Sequence, residues 1–231
     1  MLAGRCARKE EEMNFNWQRE NKSAIQTELH INKSPYLGLV LSGFGYTYRN
    51  PLLYYSTNIL LELGIDCIEI DFKYPYDDSF ISMSPTEKDQ YFENDCKIVL
   101  ENLVNIIDNY KNVVLIGKSL GTSIIRKLLK NDLIQAKAII VLLTPGNEWS
   151  NFIPELVKID NFTFVATSNE DINYKVPNLL DFYKKKNLTL IELSKGDHSL
   201  EVNKIENDIE ILRNVIIKEK EFVEMVLEKL K

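Results

Sequence analysis

The stretch Val113-Val114-Leu115-Ile116-Gly117-Lys118-Ser119-Leu120-Gly121 restricts what this chain can fold into more than any other. Four aliphatic residues in a row predict a buried strand. Leu120, Ile124, Ile125, Leu128 and Leu129 then recur at helical spacing with no loop between. Strand must therefore turn into helix at one corner, with Ser119 at its apex. A corner that tight has no room for side chains on its flanks, and Gly117 and Gly121 stand two positions to either side, giving the pattern G-x-S-x-G. Arg126, Lys127 and Lys130 crowd the far end of the helix, where its dipole favours cations.

Such a corner has a chemical use. A serine hydroxyl is a weak nucleophile at neutral pH unless a histidine accepts its proton and N–H donors receive the developing oxyanion. The N–H of Leu120, at the helix start, is one such donor. Two phosphate-binding patterns touch the same region of sequence, and each lacks a required residue. Gly117-Lys118-Ser119 ends like a P-loop, but Asn112 stands where that motif needs its first glycine, and the residues between are strand-forming. Gly43-Phe44-Gly45 follows a strand and Asp71 closes the next one, as in a dinucleotide-binding unit, but Tyr48 occupies the third glycine position.

Composition narrows the class. With 231 residues the chain is expected to form one domain over 13–231 with no separate lid domain. Residues 1–12, dense in Arg, Lys and Glu, are expected to be a disordered extension, with Met13 an alternative start. A net charge of -6 argues against nucleic acid or an anionic membrane surface as partner. Cys6, Cys67 and Cys96 are few, odd in number and far apart, which suits a reducing compartment and gives neither a disulfide framework nor a metal cluster. No apolar run is long enough to span a bilayer and no signal-peptide segment is evident, so the reading is cytoplasmic.

Along the chain, apolar strands are expected at 36–41, 66–72, 138–143, 162–166 and 188–193 besides the one before Ser119, with a short one near 25–31. Helices alternate with them. One starts at Pro51 behind an Asn50 cap and stops before Gly64. A second opens on a Ser84/Glu87 capping box and runs to about 108. Others are expected at 176–186 and from about 208 to the end, the last with Ile209, Leu212, Ile216, Val223 and Val226 on its inner face. Alternation of this kind predicts an α/β architecture, a predominantly parallel sheet with helices on both faces, whose reactive groups gather at the carboxyl ends of the strands.

Three strand ends carry suitable groups. Ser119 is followed by Asp171, within Thr167-Ser168-Asn169-Glu170-Asp171, and by His198, within Lys195-Gly196-Asp197-His198-Ser199-Leu200. The other histidine, His30, is assigned no role. Serine, acid and histidine in that order, with the G-x-S-x-G corner, make residues 36–231 resemble the α/β-hydrolase superfamily, particularly its small, lidless, esterase-like members. The resemblance implies Ser119 as nucleophile, His198 as general base and acid, and Asp171 as its orienting carboxylate, with Glu170 an alternative for that role. It also implies an oxyanion hole from the backbone N–H groups of Phe44 and Leu120, no cofactor or metal, and an ester or thioester of a small to medium acyl group as substrate. Family members often have His-Gly where this chain has Ser42-Gly43. Tyr46, Lys118 and Trp149 are candidates for the pocket rim, and Lys118 is read either as a solvated side chain or as a group favouring acidic substrates. A catalytically inactive binding protein of the same fold, and a nucleotide-dependent oxidoreductase using Gly43, Gly45 and Asp71, are the competing readings.

Overall fold

The structure, a computed structural model, describes residues 17–19, 23–174 and 180–230. The expectations for 1–12, Met13 and Cys6, and the start of the helix expected from residue 176, lie outside these. Seven strands form one sheet: β1 (Gln26–His30), β2 (Tyr36–Leu41), β3 (Asp66–Asp71), β4 (Asn112–Ser119), β5 (Ala138–Pro145), β6 (Thr163–Ser168) and β7 (Leu188–Leu193). Their order across the sheet is β1-β3-β2-β4-β5-β6-β7, with every neighbouring pair parallel except β1 and β3. β4 is thus the central strand, and the corner it ends on sits in the middle of the carboxyl edge.

Eight helices flank the sheet among the described residues: α1 (Pro51–Glu62), α2 (Asp78–Ser82), α3 (Pro85–Ile106), α4 (Leu120–Leu128), α5 (Asp132–Lys137), α6 (Trp149–Lys158), α7 (Leu180–Tyr183) and α8 (Ile205–Lys229). Alternate residues of β4 feed two separate cores. Val113 and Leu115 pack with Val99 and Leu103 of α3, Ile124 and Leu128 of α4 and Phe152 of α6. Val114 and Ile116 pack with Leu53 and Leu60 of α1 and Val223 and Val226 of α8. Each of these side chains contributes about 1.5–3 kcal/mol by leaving water, so both faces of the strand hold its register.

Local chemistry follows the sequence in most places. Ser84 and Glu87 form the reciprocal capping box that opens α3. Two expectations are corrected. Asn50 does not cap α1; its Oδ1 accepts from the N–H and hydroxyl of Thr47, and the Tyr46 hydroxyl accepts from the Leu52 N–H instead. On α8, Ile209 is exposed; the helix packs on the second core from Ile211 and Leu212 onward, with Val215, Phe222, Val223 and Val226 buried. Among the described residues no helix is long and apolar enough to cross a membrane.

Candidate active site

The turn from β4 into α4 places Ser119 at φ 53° and ψ -112°, a conformation that an L-residue adopts only under constraint. The flanking glycines supply the constraint. A Cβ on Gly121 would lie 2.3 Å from the Leu41 carbonyl oxygen, and one on Gly117 would lie 2.7 Å from the backbone of Gly121. The Thr122 hydroxyl then ties the corner to β5, donating to the Ser119 carbonyl at 2.6 Å and accepting from the Gly146 N–H at 3.2 Å.

Three side chains distant in sequence meet here. Ser119 Oγ lies 2.7 Å from Nε2 of His198, and Nδ1 of that ring lies 2.7 Å from Oδ2 of Asp171. A carboxylate only accepts, so Nδ1 carries the ring hydrogen and donates it to Asp171, which leaves Nε2 to accept from the serine hydroxyl. The Asp171 side chain is fully buried, while the imidazole is partly open to solvent. Burial pushes the Asp171 carboxyl up. The His198 hydrogen bond, the Asn173 N–H and the electrostatic pull of His198 and Lys118 together outweigh it and leave the group below its ordinary value. Glu170, the alternative acid, is exposed and turns instead toward the Gly196 N–H.

Phe44 and Leu120 line one cavity together with Ser119. Its volume is about 410 Å³, and Tyr74, Phe80 and Phe92 form much of its wall. The first N–H groups of a helix have no partner within it, and the N–H of Leu120, the first residue of α4, has no hydrogen-bond acceptor among the described residues. The Phe44 N–H has no hydrogen-bond acceptor among the described residues. The Ser42 side chain holds this loop from below, donating to Asp71 Oδ1 at 3.4 Å and accepting from the Phe72 N–H at 3.3 Å.

The three rim candidates are elsewhere, and each is a correction. Trp149 is 2% exposed and packs against Phe152, Tyr174 and Phe182 in the core. Tyr46 caps α1 and faces a separate groove beside Leu52 and Leu200. Lys118 is neither solvated nor at the pocket mouth. It is 2% exposed, its Nζ donates to the His198 carbonyl at 2.9 Å, and the ammonium sits 4.8 Å above the Tyr46 ring. Burial pulls this ammonium down to about 8, with Asp171 and Asp197 opposing the fall. The residue beside the serine thus holds the loop that carries the histidine, a role that a bond across 80 positions of sequence hides from any local pattern.

The residues of the dinucleotide pattern are likewise committed. Asp71 is buried and accepts from Ser42 and from the Lys73 N–H, so it does not face a ribose. His30, without a sequence role, pairs with Glu69 at 3.1 Å.

A parallel sheet with this strand order, an antiparallel first strand and a strained serine after the central strand define the α/β-hydrolase fold, and the chain has it. Solved structures with the same fold include an esterase from Pyrococcus furiosus, at 16% identity and a TM-score of 0.61, covering 94% of each chain. Est1E from Butyrivibrio proteoclasticus, solved with ferulic acid bound, matches at 14% identity and a TM-score of 0.59 over 90% of this chain and 96% of its own. A serine hydrolase without a lid from Xanthomonas campestris matches at 14% identity and 0.53 over 84% and 88%. No family model matches the sequence, and no curated protein does.

Proposed function

We propose that the protein is a serine hydrolase that cleaves an ester or thioester through an acyl-enzyme. One observation carries the reading: the unbroken chain of contacts from Ser119 Oγ to His198 Nε2 and from Nδ1 to Asp171 Oδ2, each 2.7 Å. In this mechanism Nε2 takes the hydroxyl proton as Oγ bonds to the carbonyl carbon, and the negative charge passes to the carbonyl oxygen. The N–H groups of Phe44 and Leu120 receive that charge. Collapse breaks the carbon–oxygen or carbon–sulfur bond to the leaving group, which departs with the proton from Nε2. Water, deprotonated by the same nitrogen, then releases the acid and restores the serine. Asp171 keeps the ring in the tautomer this requires and stabilises the imidazolium between the two transfers.

A fluorophosphonate probe tests the reading directly. Ser119 is expected to be labelled in the folded protein, and Ser119→Ala is expected to lose both labelling and roughly a millionfold in kcat on acyl esters while unfolding at an unchanged temperature. Full hydrolysis by Ser119→Ala, or no labelling of the folded wild type, would remove the proposal.

A further inference from the structure

Resting on that reading, we infer that the cavity beside Ser119 takes the acyl part of its substrate as an aryl ring, and that the preferred esters are those of monocyclic aryl-alkanoic acids. The side of the ester follows from the direction of proton flow. The leaving oxygen must lie against His198 Nε2 to collect its proton, and His198 is not among the residues lining this cavity. The cavity, which does include Ser119, Leu120 and Phe44, is left for the acyl group.

The ring follows from the wall. Phe72, Tyr74 and Phe80 form a layered stack: Phe72 and Tyr74 are 5.6 Å apart at 13°, Tyr74 and Phe80 4.5 Å apart at 30°. Phe44 extends it, stacked on Tyr74 at 6.2 Å and 28°, and it is 51% exposed, so a large aromatic surface stands open to a ligand beside the nucleophile. This wall is braced. The Tyr74 hydroxyl donates to Asp95 at 2.8 Å, and Arg19 grips the same carboxylate with two nitrogens, each at 2.8 Å. Tyr74 is itself 1% exposed and has no face free for a ligand; held this way it is a fixed backing for Phe44, whose ring is the open one. The lining carries both signs of charge: Lys88 lies over the Phe80 ring at 5.5 Å, Asp89 lines the same cavity, and Glu148 is paired with Arg126 at 3.2 Å. Both an alkyl chain and a saturated ring would gain from burial here, but only an arene gains the additional ring–ring attraction, which corresponds to about two- to tenfold in affinity.

The test compares ethyl 3-phenylpropanoate with ethyl 3-cyclohexylpropanoate, which match in carbon skeleton and differ in aromaticity. The phenyl ester is expected to have a several-fold higher kcat/KM. Phe80→Leu and Phe44→Leu, the second keeping its backbone donor, are expected to bring the ratio close to one. Equilibrium binding of 3-phenylpropanamide and 3-cyclohexylpropanamide to Ser119→Ala, followed by calorimetry, reads the same preference without turnover. Efficient turnover of both esters at equal rates, or a ratio that neither substitution changes, overturns the aryl assignment while leaving the hydrolase reading intact. Absence of turnover with a retained amide preference does the reverse.

Discussion

Glu219 allows a quantitative prediction about pH and stability. It lies on α8, fully buried against α1, where one carboxyl oxygen meets the Ser56 hydroxyl at 2.9 Å and the other has no hydrogen-bond partner among the described residues. Ser56 Oγ is also 2.9 Å from the Leu52 carbonyl, so its single hydrogen is shared between two acceptors whenever Glu219 is ionised. Burial pushes the Glu219 carboxyl from its ordinary 4.5 up to about 8, the Ser56 hydroxyl opposing the shift only in part. The folded state therefore holds a proton that the unfolded chain gives up. The stability this proton supplies is complete below about pH 4.5 and is lost as pH rises through about 8. At ~1.4 kcal/mol per unit, wild type gives up about 2–3 kcal/mol between pH 5 and pH 7 that a neutral side chain would not. In Glu219→Gln the amide can donate to Ser56 at every pH. Urea unfolding at pH 5 and pH 7 should show the variant's stability relative to wild type growing by that amount, and thermal melts at the same two pH values should show the relative midpoint widening by roughly 5–10 °C. Parallel curves, with a gap that does not grow with pH, would refute the reasoning.

Other predictions concern the site itself. Lys118→Met removes the donor that holds the His198 carbonyl, and kcat is expected to fall about tenfold or more with KM little changed. Lys118→Arg should recover part of the loss, and steady-state kinetics with a melting curve for each variant checks both. Gly121→Ala forces a methyl against the Leu41 carbonyl, so destabilisation of about 2–4 kcal/mol and loss of fluorophosphonate labelling are expected in denaturant titration and gel-based labelling. Asp171→Asn should lower kcat by about 10³–10⁴ by removing the acceptor that fixes the ring tautomer, whereas Glu170→Gln should change it less than threefold; parallel kinetics of the two distinguish the carboxylates.

What could be read from the sequence was what depends on neighbours along the chain. The G-x-S-x-G corner, the strand runs and the Ser84/Glu87 box are local chemistry, and the sheet and its helices follow from them. The meeting of Ser119, Asp171 and His198 was also legible, because in a parallel sheet residues after strand ends converge whatever the separation in sequence. Side chains whose partners are remote were misplaced. Lys118 looked solvated because nothing near it in sequence shows that the His198 loop lies over it. Trp149 and Tyr46 looked like rim residues because an aromatic in a loop gives no sign of which neighbour will cover it. Asn50 had the composition of a cap, yet the Tyr46 hydroxyl reached the helix end first. The pairing of Arg19 with Asp95, across 76 positions, left no pattern at all.

That last pairing ties the aromatic wall of the cavity to a residue upstream of the whole sheet. A shortened form of the chain beginning after Arg19 would leave Asp95 as a buried anion with the Tyr74 hydroxyl but no cation beside it. Under the proposed function, such a form is expected to keep its serine, histidine and carboxylate in register and to lose discrimination among acyl groups, since the tyrosine that backs Phe44 is no longer braced. On the aryl reading proposed above, the point at which the chain is trimmed then sets selectivity before any residue of the pocket is altered.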